Sequence, residues 1–120
     1  MESLKDKFKY AFKGLKHIFN DSAVQIQLCL MCVAIALAIV LCFNMYEMCI
    51  VLLCCALVVS SEIINSLLEK VMDFISPDFH KQVEVIKDMS AGMVLFVCIL
   101  VLIVGIILYG SKVLLLLGGM

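Results

Sequence analysis

The stretch Met48-Cys-Ile-Val-Leu-Leu-Cys-Cys-Ala-Leu-Val-Val-Ser-Ser61 contains no charged residue, and it continues directly into Glu62-Ile-Ile-Asn65-Ser-Leu-Leu-Glu69. A long apolar run with its polar residues confined to one end predicts a membrane-spanning helix. On that helix, steps of three and seven residues bring Glu62, Asn65 and Glu69 to nearly the same side. An ionisable side chain in a spanning helix is costly, and by default it marks a functional site.

The composition indicates a membrane protein. The chain of 120 residues is 65% hydrophobic, whereas soluble domains are about half apolar. Its length predicts one domain, residues 1–120. The net charge is −1 and all nine basic residues are Lys, with no dense basic tract, so no nucleic-acid partner is expected. The seven cysteines lie in or beside apolar runs, where thiols usually serve as small buried hydrophobes.

One amphipathic segment precedes three apolar segments. Residues 1–19 place Leu and Phe on one stripe and Lys on the other, which is typical of a helix lying on a membrane surface. The predicted transmembrane helices cover residues 26–43, 48–68 and 89–109. The predicted fold is therefore an all-α integral membrane protein with an N-terminal amphipathic surface helix and three spanning helices.

Two local features refine this fold. Asn20-Asp21-Ser22 offers a break and a helix cap before the first span. The apolar tail 111–120 either extends the last helix or folds onto the interface, and its pattern leaves both open.

The distribution of Lys predicts the orientation. Five Lys precede the first span, the connection 44–47 has none, three lie in or beside the polar loop 69–88, and one follows the third span. Since basic residues favour the cytoplasmic side, the N-terminus and the loop 69–88 are predicted to face the cytoplasm. We expect a multi-pass protein of a bacterial cytoplasmic membrane.

The polar residues gather at the predicted cytoplasmic ends of the helices. Oxygen-rich sites suit Mg²⁺, which is commonly held by one or two carboxylates plus substrate phosphates. Lys87 could neutralise phosphate oxygens, and a desolvated carboxylate such as Glu62 could accept a proton from an alcohol. These are the parts of a phosphoryl-transfer site, although the chain has no Gly-rich phosphate loop. Alternatively, the stripe holds helices together, and Glu69 and Asp73 are solvated at a helix end.

Three short motifs resemble one known family. They are Glu62-Ile-Ile-Asn65-Ser-Leu-Leu-Glu69-Lys-Val-Met-Asp73, then Ser-Pro-Asp78-Phe79-His80, then Lys87-Asp88-Met-Ser-Ala-Gly92. Their order and spacing resemble the prokaryotic integral-membrane diacylglycerol kinase family, which includes the undecaprenol kinases. Phe8-Lys-Tyr10-Ala-Phe-Lys-Gly14-Leu is similar to the family's surface helix. The resemblance implies a homotrimer with active sites between neighbouring subunits.

The resemblance also implies residue roles. Glu62 would be the general base at the lipid hydroxyl, Glu69 would hold the Mg²⁺ of bound ATP, and Asn65 would support both. The other residues implied at the ATP site are Tyr10, Asp21, Asp78, Phe79, His80, Lys87 and Asp88. Ala91 would contact the lipid together with Glu62. Asp21 would be the second metal ligand, although the family usually has Glu there, one methylene longer.

The leading hypothesis is an ATP-dependent lipid kinase that moves the γ-phosphate of Mg·ATP to the hydroxyl of undecaprenol or diacylglycerol. Undecaprenol is preferred, because the Ser-Pro loop and the N-terminal segment look more like that branch. The alternative is a small oligomeric proton- or cation-coupled transporter that uses Glu62. A structural membrane subunit without catalysis is the third hypothesis.

Overall fold

The computed structural model describes residues 3–76, residue 78 and residues 80–119. It contains four helices in chain order: α1 Leu4–Phe19, α2 Ser22–Val40, α3 Met45–Ile75 and α4 Lys81–Gly118. None of the described residues lies in a strand. Helices α2, α3 and α4 are each long and apolar enough to cross a membrane. The predicted all-α fold with three spanning helices is therefore confirmed.

Helices α3 and α4 extend further than the apolar runs that predict them, whereas α2, predicted at 26–43, begins earlier and ends earlier, at Val40. Helix α3 continues through Glu69 to Ile75, and α4 begins at Lys81. Most of the polar stretch 69–88, expected to be a loop, is thus helical, because polar residues can continue a helix once it leaves the apolar layer. At the other end of α4, the tail continues the helix to Gly118.

Short polar side chains begin the helices. The carboxylate of Asp21 caps α2 by accepting the backbone N–H groups of Ala23 and Val24. Asn44 and Glu47 form a reciprocal capping box at the start of α3. A cap at Asp21 agrees with the sequence pattern, and each cap satisfies backbone donors that have no partner within the helix.

Helix α3 lies between α2 and α4 and packs against both, whereas α1 contacts α2 only lightly. Few apolar side chains are buried within the chain, among them Val24, Ala38 and Val51. The cysteines are free thiols that are exposed or half-buried. Within a single copy the cysteines are thus not fully buried, because the helices turn apolar faces outward. The apolar side of α1 is likewise exposed, as an interfacial helix requires.

One end of the bundle joins the start of α2, the end of α3 and the start of α4, and we call it the polar end. The opposite end contains a cluster that the sequence patterns do not predict. There the Lys112 ammonium lies 3.0 Å from a Glu47 carboxylate oxygen. The Phe43 and Tyr109 rings are 4.8 Å apart, and the Tyr109 hydroxyl donates to the carbonyl of Ala34 at 2.6 Å. These contacts join all three spanning helices.

Replacing Lys112 by Met is expected to lower the apparent thermal unfolding midpoint in detergent. The Lys112 and Glu47 side chains are only 15% and 21% exposed, so the change leaves a partly shielded carboxylate without its ammonium partner and should destabilise the bundle. The matched control is Lys81→Met, because the Lys81–Glu84 pair is far more exposed and such pairs contribute about 0–1 kcal/mol. Equal midpoints for the two variants would show that the cluster does not stabilise the bundle.

Candidate active site at the polar end of the bundle

Helix α3 positions the predicted acid and amide side chains. Glu62 and Asn65 are half-buried and Glu69 is exposed. Glu62 and Glu69 are about 10 Å apart along the helix axis, so one lies deeper in the bundle than the other. The Asn65 Oδ1 atom is buried and has no hydrogen-bond partner among the described residues. Buried polar atoms normally have partners, so Asn65 presents an amide oxygen that a ligand could use.

A second orphaned polar atom lies on α4. Ser90 is only 4% exposed, and within the described part of the chain its hydroxyl has no hydrogen-bond partner. Ser90 lies one turn after Lys87 and directly before Ala91, which is exposed. The polar end therefore presents unpaired buried hydrogen-bonding groups on both α3 and α4.

The Asp21 carboxylate connects α2 to α3. Its Oδ1 accepts the N–H groups of Ala23 and Val24 at 3.0 and 3.2 Å and the Ser66 hydroxyl at 3.3 Å. Its Oδ2 accepts the Lys70 ammonium at 3.2 Å. The Val24 N–H and, after it, the Lys70 ammonium hold the pKa of the Asp21 carboxyl below its usual range, against the opposing effect of burial. Asp21 is therefore a stable anion with most of its acceptor positions in use.

On the α4 side, an ion pair between Lys87 and Asp73 joins the start of α4 to the end of α3. The pair borders an open cavity of about 360 Å³. The cavity is lined by Asp73, Ser76, Asp78, His80, Val83, Glu84, Lys87 and Asp88. The structure thus brings the predicted residues Asp78, His80, Lys87 and Asp88 to one opening.

The other predicted contacts are placed differently. Phe79 lies outside the described residues. Tyr10 is exposed on α1, with the Lys13 ammonium 5.8 Å from its ring centroid. Asp21 lies against Ser66 and Lys70 of α3, and none of these three residues lines the cavity beside Lys87.

The donor set at the polar end suits Mg²⁺ in part. Among the described residues, no group of three or more His, Cys, Asp or Glu side chains could hold a metal ion. Mg²⁺ needs no such cage, because it often takes one or two carboxylates and completes its shell with phosphate oxygens and water. The exposed Glu69 carboxylate and the orphaned Asn65 amide oxygen fit that pattern. Asp21 fits it less well, since a metal would have to displace Lys70.

Several polar residues of this site lie within the motifs, but the motifs do not reveal their partners or their burial. Lys70 and Ser66 are one helical turn apart on α3, which the spacing shows, but their partner Asp21 lies 49 and 45 residues away. Ser90 has no neighbour in sequence that indicates burial. Only the packing of α2 and α4 against α3 identifies these residues.

Comparison with known proteins identifies a family for the chain. The model of the family described as Prokaryotic diacylglycerol kinase matches residues 9–109. No curated protein and no solved structure matches the chain. The match confirms the resemblance indicated by the motifs of α3 and α4. Because it covers most of a chain with three helices suited to spanning a membrane, the protein belongs to the prokaryotic diacylglycerol kinase family of integral-membrane lipid kinases.

Proposed function

We propose that this protein transfers the γ-phosphate of Mg·ATP to the hydroxyl of a membrane lipid alcohol, with undecaprenol preferred over diacylglycerol. The observation that carries the proposal is the pair of carboxylates on α3, with Glu62 deeper in the bundle and Glu69 at its exposed end. A lipid hydroxyl approaches from the bilayer, whereas a nucleotide approaches from water. The two depths therefore match two substrates that arrive from different phases.

The nucleotide would bind at the polar end. The cavity beside Lys87 offers an ammonium for phosphate oxygens, and Asp88, Asp78 and His80 supply further polar contacts. Tyr10 and Phe79 would complete the nucleotide site. Glu69 and the Asn65 amide oxygen would hold Mg²⁺, which when bound supplies positive charge to the transferring phosphoryl group.

Glu62 would act as the general base at the lipid hydroxyl. The hydroxyl oxygen attacks the γ-phosphorus and forms the new P–O bond, while the bond from phosphorus to the leaving oxygen of ADP breaks. The hydroxyl proton passes to Glu62. A half-buried carboxylate suits this role because it is shielded from bulk water yet reachable from the apolar side. Ala91, exposed on α4, would contact the lipid.

A homotrimer in the bacterial cytoplasmic membrane, with the polar end facing the cytoplasm, completes the proposal. Apolar side chains are exposed along all three spanning helices, so one copy leaves its polar end open to lipid and water. Neighbouring copies would close the site. The alternative of a transporter using Glu62 draws no support from the family match.

Purified protein in neutral lipid nanodiscs with γ-labelled ATP and Mg²⁺ tests the function. We expect label in a lipid phosphate when undecaprenol or diacylglycerol is present, with the faster rate for undecaprenol. Asp6→Asn, an exposed change in the first turn of α1 at a residue with no proposed role, serves as the active control. If neither lipid alcohol is labelled at saturating Mg²⁺, the proposed activity is wrong. A faster rate with diacylglycerol would reverse the proposed lipid preference but would leave the proposed kinase activity standing.

A further inference from the structure

The contacts of Asp21 leave little room for a metal ion. An ionised carboxylate offers about four lone-pair positions. Its Oδ1 receives two backbone N–H groups and the Ser66 hydroxyl, and its Oδ2 receives the Lys70 ammonium. The side chain is only 14% exposed. A metal at Asp21 would have to displace an ammonium that already neutralises it.

Lys70, unlike Asp21, is exposed and has hydrogen-bond donors to spare. Its side chain is 68% exposed, although its ammonium is held by Asp21. An ammonium has three donors, so the contact with Asp21 leaves two of them for another acceptor. Lys70 directly follows Glu69 on α3 and lies one turn from Ser66, which binds the same carboxylate. Its charge is thereby held on α3 at the position after Glu69, the proposed Mg²⁺ ligand.

We infer that Lys70 binds the phosphate oxygens of the nucleotide and that Asp21 is the positioning residue that orients it. In this arrangement a resident cation replaces the second metal ion, and Asp21 is not a metal ligand. The inference rests on the proposed function, because it assigns Lys70 to the phosphate chain of that substrate. Lys70 on α3 and Lys87 on α4 would then supply two ammonium groups to the phosphates, each paired with an aspartate.

Substitutions at Lys70 and Asp21 can test the inference without unfolding the protein, because Lys70 is exposed and the cap of α2 can be kept. An ion pair with so exposed a partner contributes little to stability, so Lys70→Ala should fold. Asp21→Asn keeps the cap of α2, because Asn is as good an N-cap as Asp, but removes the charge that holds Lys70. Lys70→Arg keeps the cation.

The experiment measures binding of a non-hydrolysable ATP analogue to the full-length protein in neutral lipid nanodiscs, once with EDTA and once with Mn²⁺. Binding of Mn²⁺ alone is followed by electron paramagnetic resonance. Lys70→Ala is expected to weaken binding of the analogue about tenfold in both conditions. Lys70→Arg should stay within about threefold of wild type. Asp21→Asn should weaken binding of the analogue and leave the affinity for Mn²⁺ unchanged.

Two other patterns of change in the affinities for Mn²⁺ and for the ATP analogue would overturn the inference. If Asp21 is a metal ligand, Asp21→Asn lowers the affinity for Mn²⁺, and Lys70→Ala raises it by freeing the carboxylate. If Lys70 instead serves anionic headgroups, Lys70→Ala changes the response to added phosphatidylglycerol and leaves analogue binding unchanged. Failure of the proposed function gives a different result, because the wild-type protein would then transfer no label to lipid, whether or not Lys70 contributes to binding of the analogue.

Discussion

Glu62→Gln is expected to abolish lipid phosphorylation while nucleotide binding stays near the wild-type level. The substitution keeps the size and hydrogen-bonding reach of the side chain but removes the proton acceptor. General bases contribute about 10²–10⁴-fold to rate, and we expect kcat to fall within or beyond that range. Glu62 is half-buried about two helical turns from Glu69, so the loss should not extend to the nucleotide. The measurement pairs labelled-lipid formation with binding of the non-hydrolysable analogue.

Asp6→Asn makes the same chemical change at an exposed position of α1 and should retain full activity. A Glu62→Gln enzyme with more than about a tenth of wild-type kcat would exclude Glu62 as the base, because such a loss falls below the usual contribution of one. Loss of analogue binding in the same variant would instead place Glu62 in the nucleotide site.

Glu69→Gln is expected to give the complementary result. Glu69 is the exposed carboxylate nearest to the orphaned Asn65 oxygen along α3, and its charge is needed to attract Mg²⁺. We expect kcat/KM for Mg·ATP to fall at least about 100-fold, with the affinity for Mn²⁺ falling in parallel. Glu69→Asp, which keeps the charge on a shorter side chain, should recover part of both.

The two glutamate variants act as controls for each other. Glu62→Gln should keep metal binding and lose chemistry, whereas Glu69→Gln should lose metal binding first. If Glu69→Gln binds Mn²⁺ as tightly as the wild type, the metal lies elsewhere at the polar end, and the division of roles along α3 fails.

Hydropathy and helical periodicity are local properties, which is why they predicted so much of this chain. An apolar run places a helix in the bilayer whatever its neighbours do, and the three spans follow from it. The side shared by Glu62, Asn65 and Glu69 depends only on the geometry of a single helix. Helix ends were predicted less well, because a segment of mixed polarity such as residues 69–75 is compatible with either helix or loop.

Asp21 illustrates what a pattern cannot supply. Its capping role is local, and the sequence predicts it. Its partners on α3 depend on how α2 packs against α3, and the same holds for the contact of Lys112 with Glu47. A family motif can assign Asp21 to a metal, but only packing reveals that Lys70 occupies its outer oxygen.

The sequence by itself determined the membrane class, the three spanning helices and the shared side of the α3 carboxylates, since each depends on residues within one helix. The tertiary structure alone decided which ammonium meets which carboxylate at the two ends of the bundle. It also decided which polar atoms, such as Asn65 Oδ1 and the Ser90 hydroxyl, are buried without a partner in the described chain. Those outcomes depend on the rotation and tilt of neighbouring helices, which no single segment encodes.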